Sequence, residues 1–298
     1  MRNSLSDLIN NTIVYKYSLP NSSLQLNRSD HSTRDDDCYE SLDDEKLSEI
    51  IYNLIIDYSF DEFGITQNTY ENLLKIALQT KLKYDENYDE SQKLKLGFYG
   101  EVLLYGILYL KYSSKPLISR GYFYSPSENS ETKGYDCYHL VEHDGKTELW
   151  FGETKFMETF PKCIDSVWEN IDKVLSDDYL CNRNLISIIA QKDRISIKNS
   201  KIDQIISNWE KNPTLQSLKE EITKYNLELV YPIFLTSTML ESYEKTISNA
   251  IKKINSKTIN QNLSIPLTLF FIFLPVKDSA EVKRRVIKWI ESAKPLLS

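Results

Sequence analysis

Apolar and polar residues alternate along two neighbouring stretches near the middle of the chain, 135–143 and 146–156. Alternation with many aromatic and β-branched side chains is typical of strands that bury one face. The dipeptide Asp144-Gly145 lies between the stretches and favours a two-residue hairpin turn. The pattern therefore predicts an antiparallel hairpin in which His143 faces Lys146.

Other segments show helical or strand periodicity. Helices are predicted after Ser41 to about Tyr58, from near Asn68, and over about 92–112, 160–176, 199–210, 241–255 and 279–292. Further strands are predicted over 13–17, 118–125, 227–236 and 267–274, and 184–191 fits either a strand or a helix. This alternation of strands and helices predicts an α/β (α+β) fold with a central sheet flanked by helices.

Two of the predicted strands have features that indicate where they lie in the fold. Pro232 within 227–236 suggests an edge strand or a bulge, because proline cannot donate to a β-ladder. The apolar run 267–276 is too short to span a bilayer, so it favours a buried strand and no membrane segment.

Charge divides the chain unevenly. The net charge is −7, yet residues 1–90 hold 8 basic and 18 acidic side chains, whereas 91–298 hold 28 basic and 25 acidic ones. We therefore predict an acidic N-terminal accessory region with two helices (1–90) and a mildly basic core (91–298) that could bind phosphate groups.

The cysteines and histidines of the chain limit the metal sites that can be expected. The four cysteines, Cys38, Cys137, Cys163 and Cys181, form no CxxC pair, and only three histidines are present, so a zinc site is not expected. No secretory signal is visible near Met1. Free thiols without such a signal predict a cytoplasmic protein.

The hairpin brings together three charged residues. Its register places Asp136 opposite Glu153, and Lys155 points to the same face as Glu153. Two carboxylates about 5 Å apart repel by roughly 3 kcal/mol at an effective dielectric constant near 20. If that face is buried, the pair needs a cation or a shared proton. Lys155 can offset one charge and a divalent metal can offset both, and oxygen ligands suit Mg²⁺ or Mn²⁺.

The hairpin and the other candidate residues also have simpler structural interpretations. The hairpin could be an exposed edge whose acids face water. Glu101, on the apolar helix 92–112, could be a surface residue near a helix N-terminus. The cluster Lys283-Arg284-Arg285-Lys288 more often marks a solvated helix face than a nucleic-acid contact, and His139 is expected to be a packed core histidine.

The order Glu on a helix, Asp on a strand and Glu-x-Lys on the next strand resembles the PD-(D/E)xK, or restriction-endonuclease-like, nuclease superfamily. More narrowly, GFYGEVLLYGILYL (97–110) and KGYDCYHLVEHDGKTELWFGETKF (133–156) resemble the nuclease subunit (HamA-like) of the bacterial Hachiman anti-phage defence system. The resemblance covers roughly residues 90–290. The Asp of this sequence is not preceded by Pro, unlike many members of the superfamily.

The resemblance implies a restriction-endonuclease-like core with a mixed central sheet and a metal-dependent DNA nuclease activity. Asp136, Glu153 and the Thr154 backbone carbonyl would bind Mg²⁺ or Mn²⁺, and Glu101 would add a ligand directly or through water. Lys155 would stabilise charge on the phosphate or the attacking water. The partners implied are DNA and a superfamily 2 helicase subunit (HamB-like), with no membrane.

Two alternatives remain open at this level. A catalytically silent nuclease-like fold could serve as a scaffold or binding subunit. A nuclease of the same fold could instead act in restriction, repair or RNA cleavage.

Overall fold

The computed structural model describes residues 1–24, 26, 34–60, 69–82, 84–117, 124–125, 130–131, 134–143, 146–185, 188–189, 207, 214–260 and 263–297. Its strands are β1 (Ile13–Leu19), β2 (Asp36–Ser41), β3 (Lys115–Pro116), β4 (Tyr124–Ser125), β5 (Ser130–Glu131), β6 (Cys137–His143), β7 (Lys146–Phe156), β8 (Leu227–Thr238) and β9 (Leu267–Val276).

Helices connect and cover these strands. They are α1 (Asn3–Thr12), α2 (Asp44–Ser59), α3 (Tyr70–Thr80), α4 (Glu90–Leu94), α5 (Phe98–Lys111), α6 (Phe160–Trp168), α7 (Ile171–Val174), α8 (Asp177–Tyr179), α9 (Leu215–Tyr225), α10 (Tyr243–Asn255) and α11 (Ser279–Glu291). Within the described residues, none of them is both long enough and apolar enough to cross a membrane.

In the described part of the chain, the strands form a seven-stranded sheet in the order β1-β2-β9-β8-β7-β6-β3, and β4 pairs with β5 in a separate ribbon. Strands β2, β9, β8 and β7 run parallel, whereas β1, β6 and β3 pair antiparallel to their neighbours. The predicted α/β (α+β) class with a mixed central sheet is therefore confirmed.

Each face of the sheet is covered by its own layer of helices. Side chains from α6, α7 and α10 build the core on one face, which we call the α6 face. Side chains from α2, α5 and α11 build the core on the opposite face, which we call the α5 face. Strand β9 is buried along its whole length between the two layers, as its continuous apolar run predicts.

The described part of the first ninety residues belongs to the same sheet and core. Strand β1 pairs with β2, and β2 pairs with β9 in the seven-stranded sheet. Helix α2, whose N-cap Asp43 accepts from the amides of Glu45 and Lys46, packs against α5 and α11. The predicted boundary near residue 90 thus falls between elements that share one sheet, and the division into an accessory region (1–90) and a core (91–298) stays a prediction.

The prediction that Pro232 marks an edge or a bulge is wrong. Strand β8 lies between β7 and β9, and its register with each neighbour is the same before and after the proline. The ladder to β7 lacks two residue pairs there, Phe151–Tyr231 and Gly152–Pro232. A Cβ at Gly152 would lie 2.9 Å from the Pro232 ring and 2.7 Å from Cys137 Sγ. The missing side chain of Gly152 therefore lets a central strand accommodate the proline.

Other segments differ from the sequence prediction. The segment 92–112, expected to be one helix, contains two helices, α4 and α5. At the break, the Tyr99 hydroxyl donates to the Lys93 carbonyl and so satisfies an acceptor at the end of α4. The helix expected over 160–176 is likewise divided into α6 and α7. In the described part of 184–191 the backbone is helical.

Some predictions fall outside the described residues. They concern the turn Asp144-Gly145, residues 118–123 of the predicted strand 118–125, and the helix 199–210 apart from position 207. The remaining residues of that strand, Tyr124–Ser125, belong to the separate ribbon and not to the large sheet.

Candidate active site at the open end of strand β7

The hairpin β6–β7 has the predicted register. Seven residue pairs from His143↔Lys146 to Cys137↔Gly152 form the ladder, and they include Tyr138↔Phe151. Leu140, Leu149 and Phe151 are each at most 1% exposed, so the hairpin is not an edge with a solvated face. The alternating pattern therefore predicted both the pairing and the buried face.

The ladder ends just before the acidic residues. Strand β6 begins at Cys137, whereas β7 continues to Phe156, so among the described residues the last part of β7 pairs with β8 and with no second strand. We call this part the open end of β7. Because the edge of a strand presents N–H and C=O groups, this open end is a place where side chains can meet the main chain.

Asp136 caps this open end. Its amide donates to the Gly152 carbonyl at 2.8 Å, and its carboxylate Oδ2 accepts from the Thr154 amide at 2.8 Å. The predicted cross-strand pairing of Asp136 with Glu153 is thus replaced by a contact one residue further along β7. The N–H and C=O of one strand residue point to the same neighbour. The Thr154 carbonyl therefore points to the same open side as Asp136.

The turn before Asp136 explains this shift. The Tyr135 amide donates to Tyr138 Oη and to Asn184 Oδ1, and its hydroxyl donates to the Val174 carbonyl. The Tyr135 ring stacks on Phe151 with centroids 5.3 Å apart. These contacts bury Tyr135 on the α6 face and bend the chain away from the ladder.

Glu153 and Lys155 lie on the same face of β7 and form an ion pair. Their side chains are 19% and 23% exposed, respectively. Both follow the alternation of Leu149 and Phe151, which places them on the α6 face.

Glu101 approaches from the opposite face. It lies in the first turn of α5, and its carboxylate accepts from the hydroxyl of Tyr58 on α2. Helix α5 lies against β7 at Gly100, where a Cβ would come within 2.8 Å of Thr154 Oγ1. The missing side chain at Gly100 therefore permits the close approach that brings Glu101 to the open end.

The pKa of Lys155 is affected by the charges of Glu153, Asp136 and Glu101. Burial alone would lower the pKa of the Lys155 ammonium, but its pKa is raised. The charge of Glu153 makes the largest opposing contribution, followed by the charge of Asp136 and a hydrogen bond to Glu153; the charge of Glu101 adds to them. Three carboxylates from two faces of the sheet thus act on one lysine.

The donor set suits a hard divalent cation in its chemistry. It offers carboxylate oxygens and a backbone carbonyl at a half-buried position, which are ligands that Mg²⁺ and Mn²⁺ prefer. However, the described residues contain no group of three or more His, Cys, Asp or Glu side chains arranged to hold a metal. Each carboxylate faces a different donor. Glu153 faces Lys155, Asp136 faces the Thr154 amide, and Glu101 faces the Tyr58 hydroxyl.

The sequence model of the HamA family matches residues 7–290, which is most of the chain. The chain belongs to the HamA family. It is therefore a component of the Hachiman anti-phage defence system. No curated protein and no solved structure matches the chain significantly.

The predicted core position of His139 in this HamA chain is confirmed. His139 is 3% exposed, its Nδ1 contacts Ser114 Oγ at 2.8 Å, and burial lowers its pKa to about 3. It is thus the packed core histidine that was expected. Its neutral imidazole faces Trp150 across the hairpin.

The basic cluster on α11 is only partly a solvated face. Lys283 is 8% exposed and donates to the carbonyls of Leu94 and Phe156. Arg284 forms ion pairs with Glu90 and Glu281. The prediction of a solvated face is therefore wrong for Lys283, because its long apolar stem is buried in the core and the ammonium binds main-chain oxygens.

Sequence reasoning missed three residues that shape this HamA site. Tyr58 holds Glu101, Asn184 holds the turn before Asp136, and Lys283 holds the end of β7. Tyr58 and Lys283 lie on helices distant in sequence, and Asn184 follows the short helix α8. Local periodicity carries no signal for such contacts, since it reports only which face of an element is buried.

Proposed function

We propose that this HamA protein is a metal-dependent DNA nuclease of the PD-(D/E)xK type, acting as the effector of its defence system. The observation that carries the proposal is the arrangement around Thr154: Asp136 accepts from its amide, Gly100 in the helical turn of Glu101 packs on its side chain, and the Glu153–Lys155 ion pair flanks it. A half-buried set of oxygen ligands next to one lysine is suited to hydrolysis of a phosphodiester bond.

In this proposal Asp136, Glu153 and the Thr154 carbonyl hold Mg²⁺ or Mn²⁺, and Glu101 contributes directly or through water. A bound divalent metal would acidify a water molecule and draw charge from a phosphoryl oxygen. Glu153 would bind the metal in place of its contact with Lys155. The Lys155 ammonium would then stabilise negative charge on a phosphate oxygen or on the attacking water.

In this proposal Asp136 would bind the metal and also position the main chain of Thr154. Its carboxylate accepts from the Thr154 amide, which fixes the carbonyl of the same residue at the open side of β7. The burial of Thr154, which is 5% exposed, keeps this strand residue in place. The main chain and the carboxylate are thereby positioned before substrate binds, which reduces the reorganisation needed for the reaction.

A second candidate function rests on a specific observation. The described residues contain no group of three or more His, Cys, Asp or Glu side chains arranged to hold a metal, which favours a non-catalytic subunit that binds or scaffolds other components. In that case the acidic cluster would serve only to neutralise Lys155. The two functions differ in whether the purified protein cleaves DNA when a divalent metal is added.

The deciding experiment compares wild type with Glu153→Gln on plasmid and single-stranded DNA, with Mg²⁺ or with EDTA. Cleavage that is lost with either EDTA or the substitution supports the nuclease. If neither protein cleaves, a superfamily 2 helicase partner, ATP and DNA ends are added. Persistent inactivity of the folded complex would favour the scaffold.

We also propose that acidic residues of the N-terminal region contact the helicase subunit. Deleting residues 1–40 is not a clean test, because it removes α1, β1 and most of β2 from the sheet. A better variant reverses the charge of exposed Asp7 and Glu71, with exposed Glu220→Lys as the matched control. Weaker co-purification of the helicase with the double variant alone supports the contact, and unchanged co-purification contradicts it.

A further inference from the structure

The backbone over Leu180–Leu185 forms a short π-helix directly after α8. Stretches of π-helix are rare and are frequently found at functional sites. In this one the side chain of Asn184 is fully buried and reaches the turn that precedes Asp136. The proposed mechanism assigns no role to Asn184.

The side-chain amide of Asn184 is hydrogen-bonded through both its oxygen and its nitrogen. Its Oδ1 accepts from the Tyr135 amide at 3.1 Å and from the Tyr138 hydroxyl at 2.6 Å. Its Nδ2 donates to the Tyr179 carbonyl at 2.8 Å. An amide bonded in this way has one orientation, because a flip would place donors against donors and acceptors against acceptors. Asn184 is therefore a fixed acceptor for the backbone before Asp136.

The turn is built closely around this amide. A Cβ at Gly134 would collide with the Tyr138 hydroxyl and would lie 3.1 Å from Asn184 Oδ1. The Tyr135 amide donates to Tyr138 Oη as well as to Asn184 Oδ1, each at 3.1 Å. The missing side chain of Gly134 thus lets the backbone approach both acceptors.

The position of the Tyr135 backbone affects the next residue directly. The β6–β7 ladder begins at Cys137, so Tyr135 is held in place by its contacts with the α6 face and not by the ladder. Asp136 follows at once, and its carboxylate accepts from the Thr154 amide at 2.8 Å. That carboxylate can reach Thr154 only while the backbone before it leaves the ladder at this angle. The contact with Asn184 therefore bears on the contact between Asp136 and Thr154.

We infer that Asn184 is a positioning residue of the candidate active site: its amide holds the Tyr135 backbone so that the Asp136 carboxylate binds the Thr154 amide. The site then extends to the π-helix Leu180–Leu185, whose first residues belong to the core of the α6 face. The expected effect on cleavage rests on the proposed function, whereas the expected effect on the Thr154 amide does not.

The test uses Asn184→Leu, which keeps a similar shape and removes the hydrogen-bonding atoms. The matched control is Asn53→Leu on α2. Asn53 is 1% exposed, donates to the Glu49 carbonyl at 2.9 Å and accepts from the Leu297 amide at 2.8 Å. Each variant loses a buried amide that binds a backbone carbonyl and a backbone N–H, so a general effect on stability appears in both.

Tyr138→Phe is a milder second variant. It removes the hydroxyl that binds both the Tyr135 amide and Asn184, and it keeps the ring packed edge-on against Phe151. This variant carries the test if Asn184→Leu does not fold.

Three readouts are taken on the full-length protein. Exchange of the Thr154 amide hydrogen with solvent is measured by nuclear magnetic resonance without DNA or metal, and is compared with the amides of the buried strand β9, which report global unfolding. Values of kcat and KM are measured on plasmid DNA with Mg²⁺, and thermal unfolding is followed by circular dichroism.

We expect the Thr154 amide to exchange about tenfold faster in Asn184→Leu than in wild type, relative to β9, which corresponds to the loss of one hydrogen bond. The increase should be smaller in Tyr138→Phe. The kcat of both variants should fall with little change in KM, because Asn184 is buried and acts through Asp136. Asn53→Leu should leave Thr154 exchange and kcat at the wild-type level.

A double variant tests whether Asn184 acts through Asp136. If it does, Asn184→Leu should not accelerate Thr154 exchange further when Asp136→Ala has already removed the acceptor. Wild-type Thr154 exchange in both Asn184→Leu and Tyr138→Phe, or an equal acceleration in Asn53→Leu, would overturn the positioning role and leave the nuclease proposal intact. Faster Thr154 exchange in Asn184→Leu without Mg²⁺-dependent cleavage by wild type would support the positioning role and count against the proposed function alone.

Discussion

The carboxylate of Asp136 takes the place of a strand partner for Thr154. It accepts the Thr154 amide at 2.8 Å at the point where the β6–β7 ladder has ended. One side chain thus closes the backbone of β7 and supplies negative charge beside Lys155. These two contributions can be separated by substitution, because an amide side chain keeps the hydrogen-bond acceptor and loses the charge.

Asp136→Asn should therefore abolish cleavage with little change in stability. Asn retains an oxygen that can accept from the Thr154 amide, but it is a much weaker metal ligand. Asp136→Ala should abolish cleavage and also lower the free energy of unfolding by about 1 kcal/mol, since the amide loses its acceptor. Urea unfolding and plasmid cleavage measure the two effects. An active Asp136→Asn protein would remove Asp136 from the metal site.

Loss of either member of the Glu153–Lys155 pair should reduce the cleavage rate by about 10²-fold or more, because each is proposed to act on charge in the transition state. Glu153→Ala and Lys155→Ala are expected to remain folded and inactive. Lys162→Met is the matched control for the lysine, because Lys162 is 63% exposed and pairs with Glu158 on the surface. Cleavage rates at saturating Mg²⁺ provide the measurement. A folded and fully active Glu153→Ala protein would contradict the assignment of the site.

Glu101→Ala should impair cleavage less completely than the substitutions at Glu153. Its carboxylate reaches the site from the other face of the sheet and is proposed to act directly or through water, so part of the ligand set survives its removal. The Mg²⁺ dependence of cleavage should shift to higher concentration. Complete retention of the wild-type Mg²⁺ dependence would remove Glu101 from the metal site.

Gly152→Ala should destabilise the protein by about 2 kcal/mol or more, since overpacking in a rigid interior forces its surroundings to move. A Cβ there would lie 2.7 Å from Cys137 Sγ and 3.0 Å from the Pro232 carbonyl oxygen. The urea midpoint of unfolding reports the cost. Pairing Gly152→Ala with Pro232→Ala should recover part of it, because the ring is one of the obstacles; no recovery would place the strain elsewhere.

The buried Lys283 should make stability rise with pH. Burial lowers its folded-state pKa to about 8 from 10.5. Between these values the unfolded chain binds more protons than the folded chain, so the unfolding free energy increases as pH rises. The destabilising contribution is complete below about pH 8, and about 2 kcal/mol of it should be relieved between about pH 7 and about pH 9.5.

The measurement compares urea unfolding of wild type and Lys283→Met at both pH values. The comparison is needed because buried thiols oppose the trend: burial raises the pKa of Cys38 and of Cys163 to about 12, so the folded protein holds these protons longer than the unfolded chain. The stability difference between the two proteins should shift in favour of wild type at the higher pH. A difference that does not change with pH would mean that Lys283 keeps an ordinary pKa in the fold.

The local pattern of the sequence determined the hairpin, its register and the buried strand β9. Each is encoded by a period of two residues and, for the hairpin, by a turn dipeptide, and such signals need no knowledge of distant parts of the chain. The same pattern placed Glu153 and Lys155 on one face. It also brought Asp136 to the neighbourhood of Glu153, although not to its actual partner Thr154.

Only the tertiary structure decided how the site is completed. Tyr58 meets Glu101 across 43 residues of sequence, and N-terminal strands join the sheet beside β9. Pro232 lies in a central strand because Gly152 leaves room for it. These outcomes depend on which surfaces pack together. A periodic pattern shows that a face is buried but does not specify the element that covers it.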